Sequence, residues 1–142
     1  MMTPLFERAV IPLASEDDAR ATCRAVEPYL PDDCELVAVH VIEKAGGAPD
    51  KASVEQREEV AEEIFAVVEE CFPDRDVATE ILYGTDVDEA ILDHAAAIDA
   101  SVVAFTPREA GLLVRLLTGN TASELVSDAD RPVLVLPDPD GE

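Results

Sequence analysis

The feature that most constrains this chain is a run of apolar strands that alternate with amphipathic helices. Glu35–Glu43 (ELVAVHVIE) and Ser101–Phe105 (SVVAF) are apolar almost without interruption. Strands of that kind are buried on both faces, as in a parallel sheet covered by helices. Arg8–Leu13 (RAVIPL), Val77–Tyr83 (VATEILY) and Pro132–Leu136 complete a set of five. Pro12 marks the end of the first strand or a break in its pairing. Val77–Tyr83 alternates in polarity, which places it nearer a sheet edge.

Between the strands lie helical patterns. Ser15 can cap the first, and Glu16, Asp17 and Asp18 suit its positive N-terminus. Ala21, Ala25, Val26 and Tyr29 form its apolar stripe, and Pro31 stops it. Lys44–Lys51 reads as a connector. The second helix runs from Ser53 to about Phe72, with a Ser53/Gln56 capping pattern. Its stripe is Val60, Ala61, Ile64, Phe65, Val68, Cys71 and Phe72, and glutamates fill the other faces. Asp86 with Glu89 resembles a capping pair for a third helix, whose stripe includes Val87, Ile91, His94 and Ala95. His40 and His94 read as packed side chains rather than ligands. Thr106–Thr118 is a long connection, Gly119-Asn120-Thr121 opens a fourth helix, and the tail DPDGE is short and polar.

The order β-α-β-α-β-α-β-α-β implies a doubly wound α/β fold with right-handed crossovers and helices on both faces. A single domain over residues 1–142 is expected. In such sheets ligands sit past the carboxyl ends of the strands, and a helix N-terminus there suits an anion.

Charge narrows the function classes. The 32 acidic and 10 basic residues give a net charge of −22, spread along the chain. That repels nucleic acid and anionic membranes. It far exceeds the magnitude of about 2–8 usual for a small soluble domain. At about 1 M salt the screening length is about 3 Å, which removes most of the self-repulsion; a halophilic, high-salt cytoplasm is therefore expected. Cys23, Cys34 and Cys71 are widely spaced among apolar neighbours, and no C-x-x-C occurs; neither a zinc site nor a disulfide framework is expected. No signal-like segment and no long apolar run is present, so the expected location is cytoplasmic. The P-loop, the G-x-G-x-x-G dinucleotide fingerprint and the G-x-S-x-G elbow are all missing from the sequence. A binding or regulatory role is expected before an enzymatic one.

The segments RAVIPL, ELVAVHVIE, ILYGTDVDEAILDHAAAIDASVVAF and GNTASELVSDADRPVLVLP together resemble the universal stress protein (UspA-like) family over nearly the whole chain. The resemblance implies a Rossmann-like five-stranded parallel sheet of the adenine nucleotide alpha hydrolase-like type, strand order 3-2-1-4-5. It also implies a cytoplasmic stress-response role and a homodimer formed through the last strand, here Pro132, Val133, Leu134, Val135 and Leu136. Nucleotide-binding members carry G-x2-G-x9-G-[ST] after the fourth strand and an Asp at the end of the first. Here the glycine positions fall on Thr106, Glu109 and Gly119, the hydroxyl position on Asn120 and the Asp position on Ala14. Thr121 offers a hydroxyl next door, and Arg108 stands where binders often have a basic residue.

Glycine lets the backbone approach a phosphate, so Thr106 and Glu109 are expected to crowd the crevice. A carboxylate about 4 Å from a phosphate charge costs roughly 1 to 4 kcal/mol. The resulting expectation is a non-catalytic regulator with a degraded nucleotide crevice, no metal and no conventional cofactor. The alternative is an ATP- or AMP-binding switch using Gly119, Asn120, Thr121 and Arg108.

Overall fold

The computed structural model describes residues 4–43, 51–106 and 129–137. Their order is β1 (Arg8–Pro12), α1 (Glu16–Val26), a 3-10 turn (Glu27–Tyr29), β2 (Glu35–Glu43), α2 (Lys51–Cys71), β3 (Val77–Gly84), α3 (Val87–Ala97), β4 (Val102–Phe105) and β5 (Val133–Val135). The strands form one sheet in the order β3-β2-β1-β4-β5, every pair parallel. Ala9 stands opposite both Leu36 and Val102, which fixes the central register.

The two-residue period of the strands divides the core between the two faces of the sheet. Ala9, Ile11, Leu36, Ala38, Val102 and Ala104 pack against Cys23 and Val26 of α1 and Ile64, Phe65 and Val68 of α2. Val10, Val37, Val39, Val103 and Phe105 pack against Val87, Ile91 and Ala95 of α3. Successive residues of a strand therefore serve different helix layers, which is why β1, β2 and β4 read as continuous apolar runs. β3 lies at one edge, as its mixed polarity predicts, and β5 at the other.

Several local expectations are corrected. α2 starts at Lys51, so Ser53 lies inside the helix rather than capping it. Val60 is exposed, and Val67 is buried in its stead. α1 ends at Val26, because Pro28 enters a 3-10 turn that leaves Tyr29 exposed. Asp86 occupies the N-cap position of α3 in an extended conformation, but its side chain does not cap the helix. Crowding by the charges of Asp93 and Asp86 pushes the Glu89 carboxyl above its ordinary range. β4 begins at Val102, leaving Ser101 to hold the chain start: its Oγ accepts from the Glu7 and Arg8 amides and donates to the Leu5 carbonyl. The last strand spans Val133–Val135 rather than Pro132–Leu136, although the Leu136 amide still donates to the Phe105 carbonyl at 2.8 Å and its side chain is buried. The connector up to residue 50, the residues 107–128 with the expected fourth helix, and the tail from 138 lie outside the described residues.

Candidate functional site

In this strand order the sheet changes direction between β1 and β4, and the crevice past their carboxyl ends is the place such folds offer a ligand. β1 leaves the sheet in a defined way. The Leu13 amide donates to the Val39 carbonyl at 2.9 Å, and His40 Nδ1 donates to the Leu13 carbonyl at 2.7 Å. His40 thus holds the strand end, as its place inside β2 suggests. The chain then turns at Ala14 into α1, where Ser15 is the N-cap and its Oγ accepts from the Asp18 amide at 3.1 Å.

Asp18, in the first turn of α1, points back under this turn. It is 1% exposed, its Oδ2 accepts from the Ala14 amide at 2.9 Å, and its Oδ1 accepts from Thr22 Oγ1 at 3.4 Å. Thr22 Oγ1 lies 3.0 Å from Thr106 Oγ1, and Thr106 is fully buried at the end of β4. Burying a carboxylate is costly unless donors meet it; here an amide, a hydroxyl and the positive end of α1 do so. The line Ala14–Asp18–Thr22–Thr106 therefore ties the ends of β1 and β4 to α1. Thr106 was expected to stand in the crevice as an obstacle; its hydroxyl is turned to α1 instead.

On the α3 side, the same end of β1 faces a cleft lined by Pro12, Leu13, Ala14, His40, Val41, Val87 and Ile91, with a volume of about 10 Å³. That is room for about one water molecule. Next to Val87, Asp88 is buried, and its Oδ1 has no hydrogen-bond partner among the described residues.

Of the residues singled out in the sequence, Ala14 and Thr106 are brought to one place. Arg108, Glu109, Gly119, Asn120 and Thr121 lie outside the described residues. Asp18 and Thr22 were missed as site residues. Their spacing of four on an otherwise apolar helix face was the available signal. Among the described residues no group of three His, Cys, Asp or Glu side chains gathers where it could hold a metal ion. No helix among them is long and apolar enough to cross a membrane.

The Arg131-Pro132 motif also gains a physical role. Arg131 Nη1 donates to the Ala100 carbonyl at 2.8 Å and the Ala95 carbonyl at 3.2 Å, and its Nε pairs with Asp130 at 2.9 Å. It thereby braces the turn between α3 and β4, where Asp99 adopts a φ of 54° and the Ala100 amide also donates to the Ala95 carbonyl at 2.9 Å. The universal stress protein family model matches residues 5–137. The chain belongs to the universal stress protein family.

Solved structures agree with that assignment at the level of the fold. The chain is similar to the universal stress protein from Archaeoglobus fulgidus in complex with dAMP, with 15% identity, 94% of this chain and 99% of that one covered, and a TM-score of 0.66. A universal stress protein family protein from Burkholderia pseudomallei is 20% identical, over 96% of this chain and 99% of that one, with a TM-score of 0.61. An Arabidopsis thaliana family protein with AMP bound is 15% identical, over 92% and 91%, with a TM-score of 0.58. No curated protein matches the chain.

Proposed function

We propose that this chain is a non-catalytic, regulatory universal stress protein whose crevice no longer holds a nucleotide in the manner of its nucleotide-bound relatives. The observation that carries this reading is the closed end of β1. The Ala14 amide is committed to Asp18, and the neighbouring cleft has about 10 Å³, against the roughly 300–1,000 Å³ of ordinary ligand pockets. The only carboxylate close to the Ala14 turn along the chain that is buried, Asp18, is bonded inward to Ala14 and Thr22. Among the described residues, the end of β1 has its Ala14 amide already bonded and little room on the α3 side for an adenylate. The sequence adds support, with Glu109 placing negative charge where a glycine would receive phosphate.

The reading extends to assembly and surroundings. The protein acts as a homodimer joined along β5, which is an edge strand of the sheet among the described residues and where Val135 is 49% exposed. It works in a cytoplasm of molar salt, which screens the net charge of −22.

A second reading is favoured by one specific observation: relatives with the same fold are described in complex with dAMP and with AMP. On that reading the chain is a nucleotide-dependent switch built on Gly119, Asn120, Thr121 and Arg108. Purification in molar KCl, followed by denaturation and chromatography of any released nucleotide, separates the two. The first reading expects less than a tenth of an equivalent, about background; a stoichiometric adenine nucleotide establishes the second.

A further inference from the structure

All three cysteines of the sequence gather at the amino end of the strands, away from the crevice. The reason is topological. α1 and α2 run back from the carboxyl ends of β1 and β2, so their C-termini arrive where β2 begins. Cys71 is the last residue of α2 and is partly exposed. With Cys34 it lines an open cleft of about 580 Å³. Cys23, near the end of α1, is buried in the core, and α1 packs directly on α2. Cys71 packs against the core cluster that holds Cys23, and its nearness adds to the burial that pushes the Cys23 thiol up. Cys34 is otherwise engaged, its thiol donating to the Glu35 carbonyl at 3.5 Å.

We propose that Cys71 and Cys23 are a peroxide-oxidisable pair, with Cys71 attacked from the cleft and Cys23 closing a disulfide that ties α1 to α2. In the first step the Cys71 sulfur, having given up its proton, attacks one oxygen of hydrogen peroxide. The O–O bond breaks, sulfur is oxidised to the sulfenic acid, and the departing hydroxide takes the proton to leave as water. In the second step the Cys23 sulfur attacks the sulfenic sulfur. The S–S bond forms, the S–O bond breaks, and the Cys23 proton leaves with the hydroxide as a second water. Two thiols are oxidised by two electrons and one peroxide is reduced to two waters.

The geometry assigns the two roles. Of the pair, Cys71 lines the cleft, while Cys23 is buried in the core against which Cys71 packs. Burial pushes the Cys23 thiol up, so it stays protonated and unreactive until a sulfenic acid forms beside it. The cleft also selects the oxidant. Glu27, Asp32, Asp33, Glu35, Asp74 and Asp76 line it, against Arg75 alone. That lining favours a small neutral oxidant over an anionic one such as glutathione disulfide.

The test uses the full-length protein in molar KCl, treated with hydrogen peroxide and then alkylated and digested. The proposal expects free thiols to fall from three to one per chain. It also expects a mass loss of about 2 Da, one linked peptide pair joining Cys23 to Cys71, and full reversal by dithiothreitol. Cys34→Ser should leave this unchanged and Cys71→Ser should abolish it, while glutathione disulfide should react at least tenfold more slowly, roughly. A Cys34–Cys71 link, a link between chains, a sulfinic acid at Cys71 with Cys23 still free, or three unreacted thiols would each overturn it. Mapping of the unsubstituted protein decides the matter even if a variant fails to fold.

Discussion

Asp18→Ala probes the account where it is most exposed, because this carboxylate is assigned to closing the β1 end. The substitution leaves the Ala14 amide without its acceptor and removes the long contact to Thr22. A hydrogen bond to a charged group contributes about 1.5–3 kcal/mol, and a buried donor left unpaired costs about 1–3 kcal/mol. Because these overlap and the Ser15 cap persists, a net loss of about 3 kcal/mol is expected. With an unfolding entropy of about 2.1 cal/mol/K per residue, 142 residues give about 0.3 kcal/mol/K, so the thermal midpoint should fall by about 10 °C. Asp18→Asn keeps the shape and one acceptor, and should fall by about a third as much. The assay is thermal denaturation followed by far-ultraviolet circular dichroism in molar KCl. Thr22→Val and Thr106→Val, singly and together, should show a coupling of about 1 kcal/mol across their hydroxyl contact. A fall of less than about 3 °C for Asp18→Ala, roughly 1 kcal/mol, would refute the reasoning, since the carboxylate would then be holding little.

Other outcomes follow from the same structure. If the proposed β5 homodimer forms, Val135→Lys places a charge on its edge and should give monomer by light scattering without altering the fold; a dimer unchanged by the substitution, or a monomer before it, would refute the β5 interface. Lowering KCl from about 1 M to about 0.01 M lengthens the screening distance from about 3 Å to about 30 Å, so the thermal midpoint should drop steeply; a flat profile would remove the high-salt reading. The Arg8 guanidinium holds Glu35 below its ordinary value of 4.5 by a hydrogen bond and by its charge. A lowered folded value means stability present above pH 4.5 and lost as pH falls through the folded value. Glu35→Gln should therefore flatten the acid limb of stability slightly, since the pair is exposed, and leave neutral pH nearly unchanged.

Much of the fold was legible because burial on both faces leaves a plain mark. β2 and β4 read as unbroken apolar runs, and β3 showed its edge position by alternating. What was not legible depends on which distant ends meet. Thr22 and Thr106 are 84 residues apart and touch only because β1 and β4 are neighbours in the sheet. Asp18 looked like one of three acidic residues facing a helix dipole, and the pattern could not say that this one points inward. The Val60 and Val67 exchange has a similar cause: both fit a helical stripe, and only the position of α1 and the sheet decides which is covered. Arg131 lay within the last segment that resembles the family, but its carbonyl partners at Ala95 and Ala100 required the α3–β4 turn to be in place.

The central claim is that the end of β1 is closed by its own bonds and does not receive an adenylate. Isothermal titration of the dithiothreitol-reduced protein with AMP, and with ATP and Mg²⁺, in molar KCl tests it most directly. The account predicts no saturable heat up to about 1 mM ligand, a binding free energy weaker than about −4 kcal/mol. One-site binding in the micromolar range, by either nucleotide, would contradict it.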